Sequence, residues 1–129
     1  MNPAWEPILD GVLLVEPGQR AVTVRNIPAT LAIFDSHFPR FPVLPGVLLL
    51  DSMIETAKYV VGEPGPAWQA SEAGVVRFRH FVQPGDRVII EATLTAAPGT
   101  FKVQAKVGDR VVATCRSLRL SPVEAVVPV

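Results

Sequence analysis

The chain holds one cysteine, Cys115, so no disulfide can close within it. Its neighbours are small and apolar, and the thiol reads as inert core. Two histidines, His37 and His80, with one cysteine and no paired ligand spacing, do not make a zinc site, so no metal is expected. A Gly-rich phosphate loop and a G-x-S-x-G elbow are both lacking. Charge of one sign is lacking too: twelve basic and twelve acidic residues cancel, which argues against a protein devoted to nucleic acid. No apolar run approaches the ~18 residues of a membrane span. The opening M-N-P-A-W-E-P has neither a basic nor an apolar signal region, which makes the cytoplasm the expected location. Whatever chemistry exists must use His37, His80 and carboxylates.

What is present is organised by proline and glycine. Pro-Gly occurs five times, at Pro17, Pro45, Pro64, Pro84 and Pro98, and four of these pairs read as turns. At 129 residues the chain is expected to be one domain, 1–129, with a Pro-rich lead-in over 1–8 and a tail without clear register over 121–129. Gly11 to Glu16 and Ala21 to Asn26 predict a hairpin. After a break near Gly62, strands are predicted over Trp68–Val82, Arg87–Thr95, Thr100–Val107 and Arg110–Leu120. In the third of these, Phe101, Val103, Ala105 and Val107 alternate with Lys102, Gln104 and Lys106, as in a sheet with one buried face. Short links make the sheet antiparallel, and Gly108-Asp109 is a two-residue hairpin signal.

The remaining chemistry concentrates between His37 and Glu55, in H-F-P-R-F-P-V-L-P-G-V-L-L-L-D-S-M-I-E. Pro39, Pro42 and Pro45 hold His37 on a stiff, extended loop. Pro45-Gly46 opens a helix expected to run to Val61, with Leu44 as an N-cap that has no side-chain oxygen. Its first amides lack the usual local acceptor and invite a ligand oxygen. The helix is apolar nearly all round, from Val47 and Leu48 to Val60 and Val61, and is expected to be wrapped by other structure. Asp51, Glu55 and Lys58 interrupt it as one polar stripe, which faces either a water-lined cavity or solvent. The cavity is preferred because the histidine loop lies directly before the helix.

One apolar helix between a hairpin and an antiparallel meander implies a sheet curled around it. Here the sequence resembles the 3-hydroxyacyl-acyl-carrier-protein dehydratases, which have the hot-dog fold, an α+β arrangement. Their pattern H-F-P-G-x-P-(I/V)-M-P-G-V-L, followed by an acid, is met at His37, Phe38, Pro39, Pro42, Val43, Pro45, Gly46, Val47, Leu48 and Asp51. A second block, V-R-F-R-H-F-V-Q-P-G-D-R-V from Val76 to Val88, resembles the family's later strand and turn. Arg40 departs from the usual glycine and Glu55 from the usual glutamine. Asp51 is similar to the acid of the bifunctional dehydratase-isomerase branch, and an amino-terminal L-P-H-R-x-P-F-L is missing.

The resemblance implies dehydration of 3-hydroxyacyl thioesters to trans-2-enoyl thioesters, without a cofactor of the enzyme's own. The substrate rides on the phosphopantetheine of acyl carrier protein or on coenzyme A. It also implies a homodimer, or a trimer of dimers, with each site taking its histidine from one chain and its acid from the other. Residue chemistry fits: an imidazole ordinarily titrates near neutrality, so a histidine at position 37 suits removal of the C2 proton, a role that falls to His37. Gly46 N–H, at the positive end of the helix, suits the charge that builds on the thioester oxygen. Asp51 is left to help the hydroxyl leave, as a neutral acid or through a held water, with Leu48, Leu50 and Ile54 expected to desolvate it. Glu55 either adds like charge or positions Asp51.

Phe38, Pro45, Val47 and Glu55 are the expected substrate-binding neighbours. Arg77 and Arg79 read equally as a site for the acidic carrier or its pantetheine phosphate and as a solvated strand face. His80 is expected to be a satisfied core or interface histidine. The alternatives to a dehydratase are a hydratase or thioesterase on coenzyme A thioesters, and a non-catalytic acyl-binding subunit.

Overall fold

In a computed structural model of the protein, residues 8–28, 43–62 and 65–123 are described. The chain runs β1 (Gly11–Glu16), β2 (Arg20–Asn26), α1 (Gly46–Val61), β3 (Trp68–Phe78), β4 (Arg87–Leu94), β5 (Thr100–Val107) and β6 (Arg110–Pro122). The strands form one antiparallel sheet in the order β1-β2-β4-β5-β6-β3. The helix carries the chain from β2 to the far edge, and β4 returns to β2's free side. This is the hot-dog fold, with α1 touching all six strands. Among the described residues no helix is long and apolar enough to cross a membrane.

Alternation sets the buried face. Val88, Ile90 and Ala92 of β4 and Phe101, Val103 and Ala105 of β5 are fully buried, and they meet Leu49, Met53, Ala57 and Val60 of α1. On β6 the phase shifts between Cys115 and Leu118, because a bulge opposite Lys102 inserts one residue. Cys115 is core as expected, and burial pushes its thiol up from its ordinary pKa. The helix buries polar groups as well: Thr23 and Thr56 hydroxyls share a 2.7 Å hydrogen bond. Arg25 donates to Ser52 Oγ at 2.8 Å and to the Leu48 carbonyl at 3.0 Å, and Ser52 donates to the Ile8 carbonyl at 2.7 Å. These bonds fix the helix's height on β2.

Five boundaries differ from the sequence reading: β2 begins at Arg20 and not Ala21, β4 ends at Leu94 and not Thr95, and three more have local causes. The N-cap is Pro45, since its ψ of 139° is extended and its carbonyl accepts the first bonds, from Leu48 and Leu49. β3 stops at Phe78 and not at Val82: Arg79 and His80 N–H both turn to the Val112 carbonyl, and the Val82 carbonyl accepts from Leu44 N at 2.7 Å. β6 continues past Leu120, with Ser121 and Pro122 paired to Gln69 and Trp68. Other signals hold. Gly62 ends the helix in the left-handed region at φ 88°, and Gly108-Asp109 closes the β5-β6 hairpin between paired Val107 and Arg110.

Candidate active site

The helix start opens on an apolar cleft of about 330 Å³. Val43, Leu44, Pro45, Gly46 and Leu49 form one wall, and Phe78, His80, Phe81 and Val82 the other. The Leu44–Val82 hydrogen bond clamps the walls together. Among the described residues no side chain caps the helix start, where Gly46 lines the cleft. A second cleft of about 420 Å³ shares Phe78, His80 and Phe81 with the first and adds Arg79, Gln83 and Arg110. An apolar hollow thus passes into one with two guanidinium groups.

Of the residues singled out from the sequence, Pro45 and Gly46 line the apolar cleft and Arg79 lines the basic one. Val47, beside them, is 65% exposed. His37 and Phe38 lie outside the described residues. Arg77 is exposed in β3 opposite Thr114, and Arg79 lies past the end of that strand, so strand alternation does not relate the two.

Asp51 is half-buried, five residues beyond Gly46, or about 7.5 Å along the axis. At about 100° per residue it shares a face with Val47 and Ile54, while Leu49 and Met53 point into the core. Within the chain Asp51 and the apolar cleft therefore lie on different faces of α1. The expected enclosure by Leu48, Leu50 and Ile54 is incomplete, since all three are themselves half-buried.

Among the described residues Glu55 and Lys58 are engaged with the chain that follows the helix. Glu55 Oε1 accepts from Gly65 N at 2.7 Å, Lys58 Nζ donates to the Gly65 carbonyl at 2.7 Å, and the two side chains pair at 3.3 Å. The polar stripe fastens the chain that follows the helix. His80 is not core: it is exposed and borders both clefts, because β3 ends before the alternation reaches it. Phe81 and Arg110 were not singled out by their sequence context. Arg110 follows the Gly108-Asp109 turn, a signal of the hairpin, but only the pairing of β6 with β3 brings it beside Arg79.

Comparison with known proteins decides the family. A model described as ApeI-like, ApeI dehydratase, matches residues 14–116. The chain belongs to this dehydratase family. It is 36% identical over 128 residues to the 3-hydroxyacyl-(acyl-carrier-protein) dehydratase FabZ of Symbiobacterium thermophilum, covering 94% of this chain and 89% of that one. With the enzyme of the same name from Geobacillus thermodenitrificans it is 35% identical over 97 residues, covering 72% and 67%. Among solved structures it is similar to the dehydratase heterocomplex ApeI:P from Xenorhabdus doucetiae, with a TM-score of 0.67, 23% identity and coverage of 80% and 88%. The uncharacterised protein PH1136 from Pyrococcus horikoshii gives a TM-score of 0.74 at 17% identity, covering 92% and 85%. These likenesses in structure support the hot-dog fold, and the relatives in sequence support membership of the dehydratases.

Proposed function

We propose that the protein dehydrates 3-hydroxyacyl thioesters carried on acyl carrier protein to trans-2-enoyl thioesters, in fatty acid or related acyl-chain synthesis. The observation that carries this reading is the uncapped helix start at Gly46, opening on an apolar cleft in a chain whose relatives are named for that reaction. The thioester carbonyl accepts from Gly46 N–H, where the helix dipole favours negative charge. His37 takes the C2 proton, and the electron pair left at C2 forms the double bond as the C3–O bond breaks. Asp51 gives its proton to the departing hydroxyl, which leaves as water. The step is redox-neutral, and these residues balance it without a cofactor.

The face that Asp51 shares with exposed Val47 supports a site built from two protomers, the acid of one reaching the histidine and cleft of the other. β3 is an open sheet edge beside this site, with Val75 50% and Phe78 51% exposed, and a second copy would cover it. β1, the other edge, exposes Val12, Leu13, Leu14 and Val15 and is available for a trimer of dimers. Arg79 and Arg110, which line the second cleft, support a reading in which it holds the pantetheine phosphate or an acidic carrier surface. The test is turnover by the purified protein of 3-hydroxybutyryl and longer thioesters, on carrier protein and on coenzyme A. Enoyl product, formed faster from the carrier-bound substrate, is expected. Faster turnover of coenzyme A thioesters would favour the hydratase reading, and no turnover the non-catalytic one.

A further inference from the structure

A glycine at the helix start leaves room where a side chain would stand, but in the folded chain that space is already filled. A Cβ built at Gly46 would lie 2.9, 3.0 and 3.1 Å from Cζ, Cε2 and Cε1 of Phe78, closer than side-chain carbons stand. The ring therefore abuts the helix start with its far edge. Two anchors hold it there: Phe78 is the last β3 residue in the ladder, paired with Ala113, and a few residues later Val82 is bound to Leu44. The ring is nevertheless 51% exposed and borders the cleft that receives the thioester.

We propose that Phe78 is a specificity-determining residue that limits substituents on C2, the acyl carbon next to the thioester carbonyl. The inference rests on the assignment of Gly46 N–H as the donor to that carbonyl. A carbonyl oxygen within hydrogen-bonding distance of the amide brings C2 within a few ångströms of the helix start, beside the ring. With helix backbone behind it, the ring has no room to withdraw on that side. A hydrogen at C2 fits, and a methyl group meets the ring. The substrate class is then 3-hydroxyacyl thioesters unbranched at C2.

The test compares wild type, Phe78→Leu and Phe78→Ala on the N-acetylcysteamine thioesters of 3-hydroxybutyrate and 2-methyl-3-hydroxybutyrate. Binding of the corresponding products, the crotonyl and 2-methylcrotonyl thioesters, is measured by calorimetry. Wild type should prefer the unbranched substrate by about tenfold or more in kcat/KM, as one crowded methyl group can impose. Phe78→Ala should bring that ratio near one by gaining on the branched substrate, with Phe78→Leu between. A ratio unchanged in the variants, or no preference in wild type, overturns the proposal. If none of the proteins dehydrates either substrate, the function is wrong, and the product affinities judge the ring separately. Preference for crotonyl that Phe78→Ala or Phe78→Leu removes sustains the steric limit, whereas equal affinities, an unaltered preference or no binding to wild type overturn it. Should Phe78→Ala fail to fold, Phe78→Leu decides by the same two ratios.

Discussion

At the residue scale, Gly46 must have no side chain beneath Phe78, and under the proposed function it also offers its amide to the substrate. Alanine is the better helix former by about 1 kcal/mol, so Gly46→Ala would stabilise α1 if its surroundings were open. The packing predicts the reverse. Gly46→Ala should lower the melting temperature by several degrees, and Phe78→Ala in the same chain should recover most of the loss, a coupling that a double-mutant cycle by thermal melting measures. Under the proposed function Arg79 and Arg110 act at longer range. Reversing both to Glu should raise KM for carrier-bound substrate by about tenfold at low salt and leave a short soluble thioester untouched, whereas Arg77→Glu should have a smaller effect. Equal losses on both substrates would point to damage at the reacting centre. The motif from His37 to Asp51 was legible because its residue types are few and their spacing is tight. The core half of the core-or-interface reading of His80 failed because period-two alternation was extended past Phe78, where Arg79 and His80 donate to the Val112 carbonyl and the Val82 carbonyl accepts from Leu44.

At the scale of the element, α1 is held by polar bonds that its apolar sequence obscures. Glu55 and Lys58 read as a stripe facing a cavity, but their groups are taken up by Gly65. Glu55→Ala removes an acceptor from a part-buried amide and should cost about 1 kcal/mol in urea denaturation. It should leave kcat within about threefold, since Glu55 is committed to structure. A drop of a hundredfold without loss of stability would return Glu55 to the active site. The helix's extent was legible from Pro45 and Gly62, whose backbone preferences act locally. The bonds from Arg25 and Thr23 to Ser52 and Thr56 were not, because they depend on which helix face meets β2.

For the whole molecule, the sheet was legible from its turns and from alternation, which are properties of neighbouring residues. Strand order was not legible, as no local signal says that β3 pairs with β6. Nor does sequence show that Asp51 and the Gly46 cleft occupy different faces of one helix. That separation is the physical reason to expect two protomers per site. Refolding His37→Ala together with Asp51→Asn should give mixed dimers that each hold one intact site. With random pairing and independent sites, activity should return to roughly a quarter of wild type. No recovery would place each site within one chain.

The central claim is that this chain eliminates water from a 3-hydroxyacyl thioester using His37 as base and Asp51 as acid. It is tested most directly by following enoyl product from carrier-bound 3-hydroxybutyrate with wild type, His37→Ala and Asp51→Asn. Wild type should turn over, and each variant should lose about 100-fold or more in kcat while its melting temperature stays nearly unchanged. Product from either variant at the wild-type rate, or none from wild type, would contradict it.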